Sequence, residues 1–329
     1  AAILIGYRYT TEVWEHSMRI LHFSDIHVQA PLRSVPLREW IGKRLFGGLN
    51  LVAGRRHHFA DAIDKVAALD AFRIQEDVQL VICTGDYTAL GTRRELQMAR
   101  TAVAPLMQAP LGFVHVPGNH DVYSADVIRD GRFDDSFGDT LFTDLPEYCV
   151  DRGRWPLVRL IAEDIAVVAL DSTRPNPQPW RSSGMIPEPQ IARLRQILAD
   201  ERVAERFVFV ITHYAPCLED GGPDRRHHGL ENAAEFLAAC ADLRRGAILC
   251  GHVHHRYVAH PKVAHPKNAA LTDASPTDAS PPVFCAGSTT KRGVEGLWMF
   301  DISQDEAVAT PGRWDGSAYA LDTGQSYAW

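Results

Sequence analysis

Short, predominantly apolar runs alternate with stretches of helical periodicity along most of the chain. Arg19–Ser24 (RILHFS), Gln79–Thr84 (QLVICT), Gly112–Pro117 (GFVHVP), Ile165–Leu170 (IAVVAL), Phe207–Thr212 (FVFVIT) and Ala247–Cys250 (AILC) have the length and composition of buried strands. Between them, His58–Glu76, Arg93–Met107, Pro187–Leu198 and Glu231–Ala241 repeat apolar residues at helical spacing. This alternation predicts an α/β sheet with helices on both faces. Lys262–Pro282 breaks the pattern with Ala, Pro, Ser, Thr and Asp and a near-repeat, TDASPTDASPP, before strand-like runs resume at Val283 and Gly296–Asp301. It therefore predicts a mobile loop at about 261–282 within one domain covering 1–329.

Polar residues cluster where the apolar runs end. The first run leads into Asp25-Ile26-His27, the second into Gly85-Asp86 and the third into Gly118-Asn119-His120-Asp121. Phe207–Thr212 is followed by His213, and Ala247–Cys250 by Gly251-His252-Val253-His254. Ligands bind at the carboxyl edge of open α/β sheets, which is where these residues fall. Gly85, Gly118 and Gly251 each precede a polar residue, and a backbone without Cβ can turn sharply there. An extended backbone through His252-Val253-His254 would send both imidazoles to one side. The Asp86 carboxylate could bridge two neighbouring metals through its two oxygens. Mixed nitrogen and oxygen donors without thiolates suit zinc, manganese or iron and argue against a structural zinc knuckle. Any one of these short patterns occurs by chance, but the ordered set of five, each after an apolar run, does not.

In that order the motifs resemble the calcineurin-like metallophosphoesterase superfamily, over roughly Arg19 to Thr290. The resemblance implies a four-layer α/β sandwich with two central mixed sheets and two divalent ions (Mn, Fe or Zn). It places Asp25, His27, Asp86 and His254 on the first ion and Asp86, Asn119, His213 and His252 on the second, with Asp86 bridging. It sets His120 beside the phosphate to stabilise the transition state or protonate the leaving group, with Asp121 orienting it. Two ions roughly 3.5–4 Å apart would clamp a phosphoryl group and convert a shared water to hydroxide near neutral pH, for in-line attack on phosphorus.

Composition narrows the substrate less. The net charge of −7 excludes a general nucleic-acid binder. Six scattered cysteines without a CxxC pair predict free thiols and a reducing, cytoplasmic setting. Ala1–Thr10 lacks the layout of a signal peptide, and no apolar run approaches the roughly 18 residues needed to span a bilayer.

Locally, however, the charge reverses. Between His27 and Asp86 lies an insertion at about 31–58 in which Leu37, Trp40, Ile41, Leu45, Leu49 and Val52 recur at helical spacing. Across Ser34–His58, Arg38, Lys43, Arg44, Arg55 and Arg56 stand against Glu39, a net of +4. A basic amphipathic segment of this kind either rests on anionic lipid or packs on the core with its basic face in water. Arg55, Arg56 and His58 are candidate contacts for a phosphate or headgroup, and Asn119 for substrate as well as metal. The insertion resembles the cap-like segments of bacterial UDP-2,3-diacylglucosamine pyrophosphatases, while the five motifs are equally those of class III cyclic-nucleotide phosphodiesterases. The expected substrate is thus a small phosphodiester or nucleotide-linked lipid, with peripheral contact at the inner membrane face. A non-catalytic metal-binding scaffold is the alternative from another class. Asp171 reads as a partner of a ligand histidine or a turn cap, and Ser288 and Thr289 as residues of a turn closing the site. Oligomeric state cannot be read from these features.

Overall fold

The computed structural model describes residues 17–40, 43–50, 54, 56–176, 178, 180–262 and 280–329. Two mixed sheets form the centre of the fold, where the apolar alternation alone predicts one. The first comprises β1 (Met18–Phe23), β2 (Leu80–Cys83), β3 (Phe113–His115), β10 (Gly296–Ile302), β11 (Ala307–Trp314), β12 (Tyr319–Leu321) and β13 (Tyr327–Ala328), ordered β12-β11-β10-β1-β2-β3 with β13 beside β11. The second comprises β4 (Leu157–Ile161), β5 (Ile165–Ala169), β6 (Phe207–Ile211), β7 (Gly246–Cys250), β8 (Tyr257–Ala259) and β9 (Val283–Cys285), ordered β4-β5-β6-β7-β9-β8.

Their inner faces share one core. Phe300 of the first sheet meets Phe209 and Phe284 of the second, with ring centroids 5.3 and 5.1 Å apart. Helices α2 (Ala62–Gln75) and α3 (Arg93–Val103) bury Val66, Leu69, Leu96 and Val103 on the first sheet. Helices α4 (Glu188–Leu198) and α5 (Ala233–Cys240) cover the outer face of the second through Ile191, Leu194 and Phe236. Within each sheet the strands that matter for chemistry run parallel: β1-β2-β3 in one and β5-β6-β7 in the other. Their carboxyl ends meet at a common edge because the sheets are stacked face to face.

The insertion departs from its expected form. Among its described residues it contains a 3-10 turn at Leu37–Glu39 and a helix, α1 (Lys43–Asn50). Its polarity is inverted at Arg44, which is 1% exposed, while Leu37, Leu45, Phe46 and Leu49 are exposed. Arg44 donates to Leu90 O, Glu39 O, Ser124 Oγ and both oxygens of Asp126. The buried Arg132 extends this network to Glu39, Asp126 and Asp130. A guanidinium whose donors are all matched can be buried, and matching them brings the helix down on its charged side. The insertion residues Ile41, Val52 and Arg55 lie outside the described residues, as does most of the expected mobile loop.

Candidate metal centre

The turns that follow the parallel strands have an unusual backbone. Among the described residues, eight non-glycine positions have positive φ, and five of these are Asp25 (54°), His27 (45°), Asp86 (57°), His252 (71°) and His254 (58°). Left-handed backbone costs a side-chain-bearing residue about 1 kcal/mol or more, so such a concentration marks positions held by their surroundings for a purpose. It also corrects the extended geometry expected for His252-Val253-His254. Two left-handed residues separated by Val253 set the two imidazoles, not a strand pleat. Gly118 and Gly251 are required by close approach: a Cβ at Gly118 would overlap the Asp86 amide and carboxylate, and one at Gly251 would overlap Ser24 Oγ and Asp25 Oδ2.

Backbone carbonyls fix the imidazole tautomers. His27 Nδ1 lies 3.1 Å from Thr88 O, His213 Nδ1 2.7 Å from Thr84 O and His252 Nε2 3.0 Å from His228 O. A carbonyl only accepts, so each of these nitrogens carries the hydrogen and the opposite nitrogen carries a lone pair. On one side, His27 Nε2 lies 3.6 Å from both Asp25 Oδ1 and Asp86 Oδ2, with His254 Nε2 2.8 Å away. His254 Nε2 is in turn 3.1 Å from Asp25 Oδ1, an oxygen buried without a hydrogen-bond partner. On the other side, His213 Nε2 is 3.6 Å from the same Asp86 Oδ2 and 3.0 Å from Asn119 Oδ1, which lies 2.8 Å from His252 Nδ1. Asp86 Oδ2 alone thus faces both clusters, because Oδ1 accepts the His120 amide at 2.7 Å.

Electrostatics agree with this donor set. Burial depresses the pKa of His213 and His252, favouring the neutral form of each. Burial alone would raise Asp25, but the neighbouring His254 and His27 imidazoles outweigh it and hold the carboxyl well below its ordinary range. Acceptors converging in a buried space repel one another unless a cation lies between them, so the residues fit two divalent ions. The ligands come from both sheets, which explains why two stacked sheets are needed to build the site.

Asp121 differs from expectation. Its carboxylate accepts from the amides of Tyr87, Thr88 and Gly118 and from Thr88 Oγ1, so it braces the turns after β2 and β3. The group that orients His120 is the carbonyl of Ala89, 2.6 Å from Nδ1. Asp171 is likewise a turn cap, accepting from the Thr173 amide and hydroxyl and pairing with Arg152. Ser288 and Thr289 are fully buried. Ser288 Oγ donates to Asp25 O, and Thr289 Oγ1 accepts the Ser24 amide, so this turn steadies the Asp25 loop from behind.

A cavity of about 280 Å³ opens over the centre. Asp86, Asn119, His120, His252 and His254 form its floor. Lys43, Tyr123, Trp180, Arg181, His228 and Lys291 stand around them. Arg56 and His58 are exposed and line no part of this cavity, which corrects their assignment as substrate contacts. The wall residues escape sequence reading because they are scattered over several segments of the chain, with no motif to join them.

Comparison with known proteins agrees with this architecture. A dimetal phosphatase from Danio rerio is similar in fold at a TM-score of 0.58 and 14% identity, covering 93% of this chain and 99% of the other. Purple acid phosphatase PPD1 from yellow lupin seeds (Lupinus luteus) gives a TM-score of 0.59 at 11% identity, covering 97% of this chain and 54% of its own. No curated protein sequence matches. The calcineurin-like phosphoesterase family model matches residues 18–256, a span that holds every residue of both acceptor clusters, and the chain belongs to that family.

Proposed function

We propose that the chain is a dinuclear-metal hydrolase that cleaves a phosphodiester or diphosphate bond. The observation that carries this reading is the pair of acceptor clusters sharing Asp86 Oδ2 at 3.6 Å from His27 Nε2 and from His213 Nε2. Asp25, His27, Asp86 and His254 would hold one divalent ion, and Asp86, Asn119, His213 and His252 the other. When bound, such ions supply Lewis acidity toward the phosphoryl oxygens and lower the pKa of water. The protein's own part is to orient and to move a proton. His120, whose Nδ1 donates to Ala89 O, would in its imidazolium form donate from Nε2 to a phosphoryl or leaving oxygen. The family model favours catalysis over a scaffold role, since every expected ligand is present.

A lipid-linked nucleotide is the substrate we favour. Leu45, Phe46 and Leu49 are exposed on the same helix whose first residue, Lys43, forms part of the cavity wall. On this reading the protein works at the inner membrane face, and among the described residues no helix is long and apolar enough to cross a membrane. The G-N-H-D form at 118–121 supports the competing 3′,5′-cyclic-nucleotide reading. Turnover of bis-p-nitrophenyl phosphate with Mn²⁺ tests the hydrolase assignment, and no turnover with any of several metals would remove it. Direct comparison of cyclic AMP with UDP-diacylglucosamine, and sedimentation with anionic liposomes, tests the substrate.

A further inference from the structure

The cavity wall carries charge that one phosphodiester does not account for. Lys43, Arg181 and Lys291 all line it, and the carboxylate among its described lining residues is Asp86, already engaged at the metal centre. These cations come from separate parts of the chain. Lys43 Nζ donates to Arg181 O at 2.9 Å and sits 4.9 Å from the Tyr123 ring centre, so it joins the insertion helix to the loop across the cavity. Arg181 is steadied by Ser183 Oγ and by Glu231. The Lys291 amide donates to Ser288 Oγ at 3.2 Å, in the turn that braces the Asp25 loop. Positive side chains lining one partly enclosed space raise its potential and favour an anion there.

We infer that Lys43, Arg181 and Lys291 form a second anion subsite, and that the substrate is a diphosphate diester whose non-reacting phosphate occupies it. This rests on the hydrolase reading above and selects among its substrates. A cyclic nucleotide has a single phosphate and leaves the subsite empty. In the reaction, a water oxygen bonds to one phosphorus and the bond from that phosphorus to the bridging oxygen breaks. The bridging oxygen leaves with the second phosphate, and the water's protons are released or taken up by the two monophosphate products. The exposed indole of Trp180 borders the subsite beside Arg181 and offers a flat face to the organic group beyond it.

The test compares ADP-ribose, a diphosphate diester, with cyclic AMP and bis-p-nitrophenyl phosphate, which carry one charge each. With metal-loaded wild type, kcat/KM should favour ADP-ribose. Losing one charge-assisted contact is worth about tenfold or more, so Lys291→Gln should lower kcat/KM for ADP-ribose at least about tenfold more than for bis-p-nitrophenyl phosphate. Arg181→Gln should shift the ratio in the same direction, which guards against a misfolded Lys291 variant. Equal losses on both substrates, or wild type that cleaves bis-p-nitrophenyl phosphate while ADP-ribose is neither cleaved nor competitive, would overturn the subsite. Failure of wild type on all three substrates would instead remove the hydrolase reading on which it rests.

Discussion

The metal centre and the insertion that borders it solve opposite problems with buried charge. At the centre, acceptors from two sheets converge on two points, and the charge that would satisfy them comes from outside the chain. At the insertion anchor, Arg44 and, from outside the insertion, Arg132 bring donors inward, and Glu39, Ser124, Asp126 and Asp130 meet them from within the chain. The centre therefore calls for charge from outside the chain, and the insertion anchor draws its charge from within the chain. One should respond to metal, the other should not, and substitutions should separate activity from stability.

The largest effect is expected at the shared carboxylate. Asp86→Ala should abolish turnover and bound metal together while leaving the insertion seated, as metal analysis and circular dichroism would show. His120→Ala comes next. It should lower kcat by about 10²–10⁴-fold with metal content retained, because the imidazole contacts substrate rather than ions. An active variant would disprove that role.

On the insertion side, Arg44→Met removes one partner of a buried pair and should cost about 3 kcal/mol in urea unfolding. Its effect on metal content should be small, and a loss of both ions would show that the two regions are not independent. Asp126 gives a pH signature of the same anchor. Burial alone would raise its pKa, but hydrogen bonding to Arg44 outweighs this and lowers it to about 2, below its ordinary 3.8. A depressed folded pKa contributes stability above the unfolded value, and this contribution should fade as pH falls from about 4 toward 2.

A second pH signature, of opposite sign, lies at Glu95, which caps α3 in a reciprocal pair with Thr92. Burial raises its pKa from 4.5 to about 7 despite hydrogen bonds from Thr92 and Leu90. Here the folded state holds the proton more tightly than the unfolded chain. Stability should therefore decline as pH rises from 4.5 to about 7, and Glu95→Gln should flatten that decline.

The same contrast explains what the sequence made legible. Asp25, His27, Asp86, Asn119, His213, His252 and His254 could be picked out because each follows an apolar run within a few residues, so local order reports position in space. The left-handed conformations of five of them are not written in residue type, since tertiary contacts impose them. Arg44 read as a solvated charge because its partner Asp126 is 82 positions away. The resemblance made Asp121 the orienting partner of His120, whereas backbone amides claim its carboxylate and the Ala89 carbonyl lies against His120 Nδ1. Backbone groups are the same at every position, so no sequence pattern announces them.

Titration of metal-free protein with Mn²⁺ tests the central claim most directly, with wild type and His213→Ala measured side by side. Two ions should bind per wild-type chain and one per variant, since Asp25, His27, Asp86 and His254 remain intact when His213 is lost. A wild-type stoichiometry of zero or one, or two ions retained in the variant, would contradict the two clusters joined by Asp86.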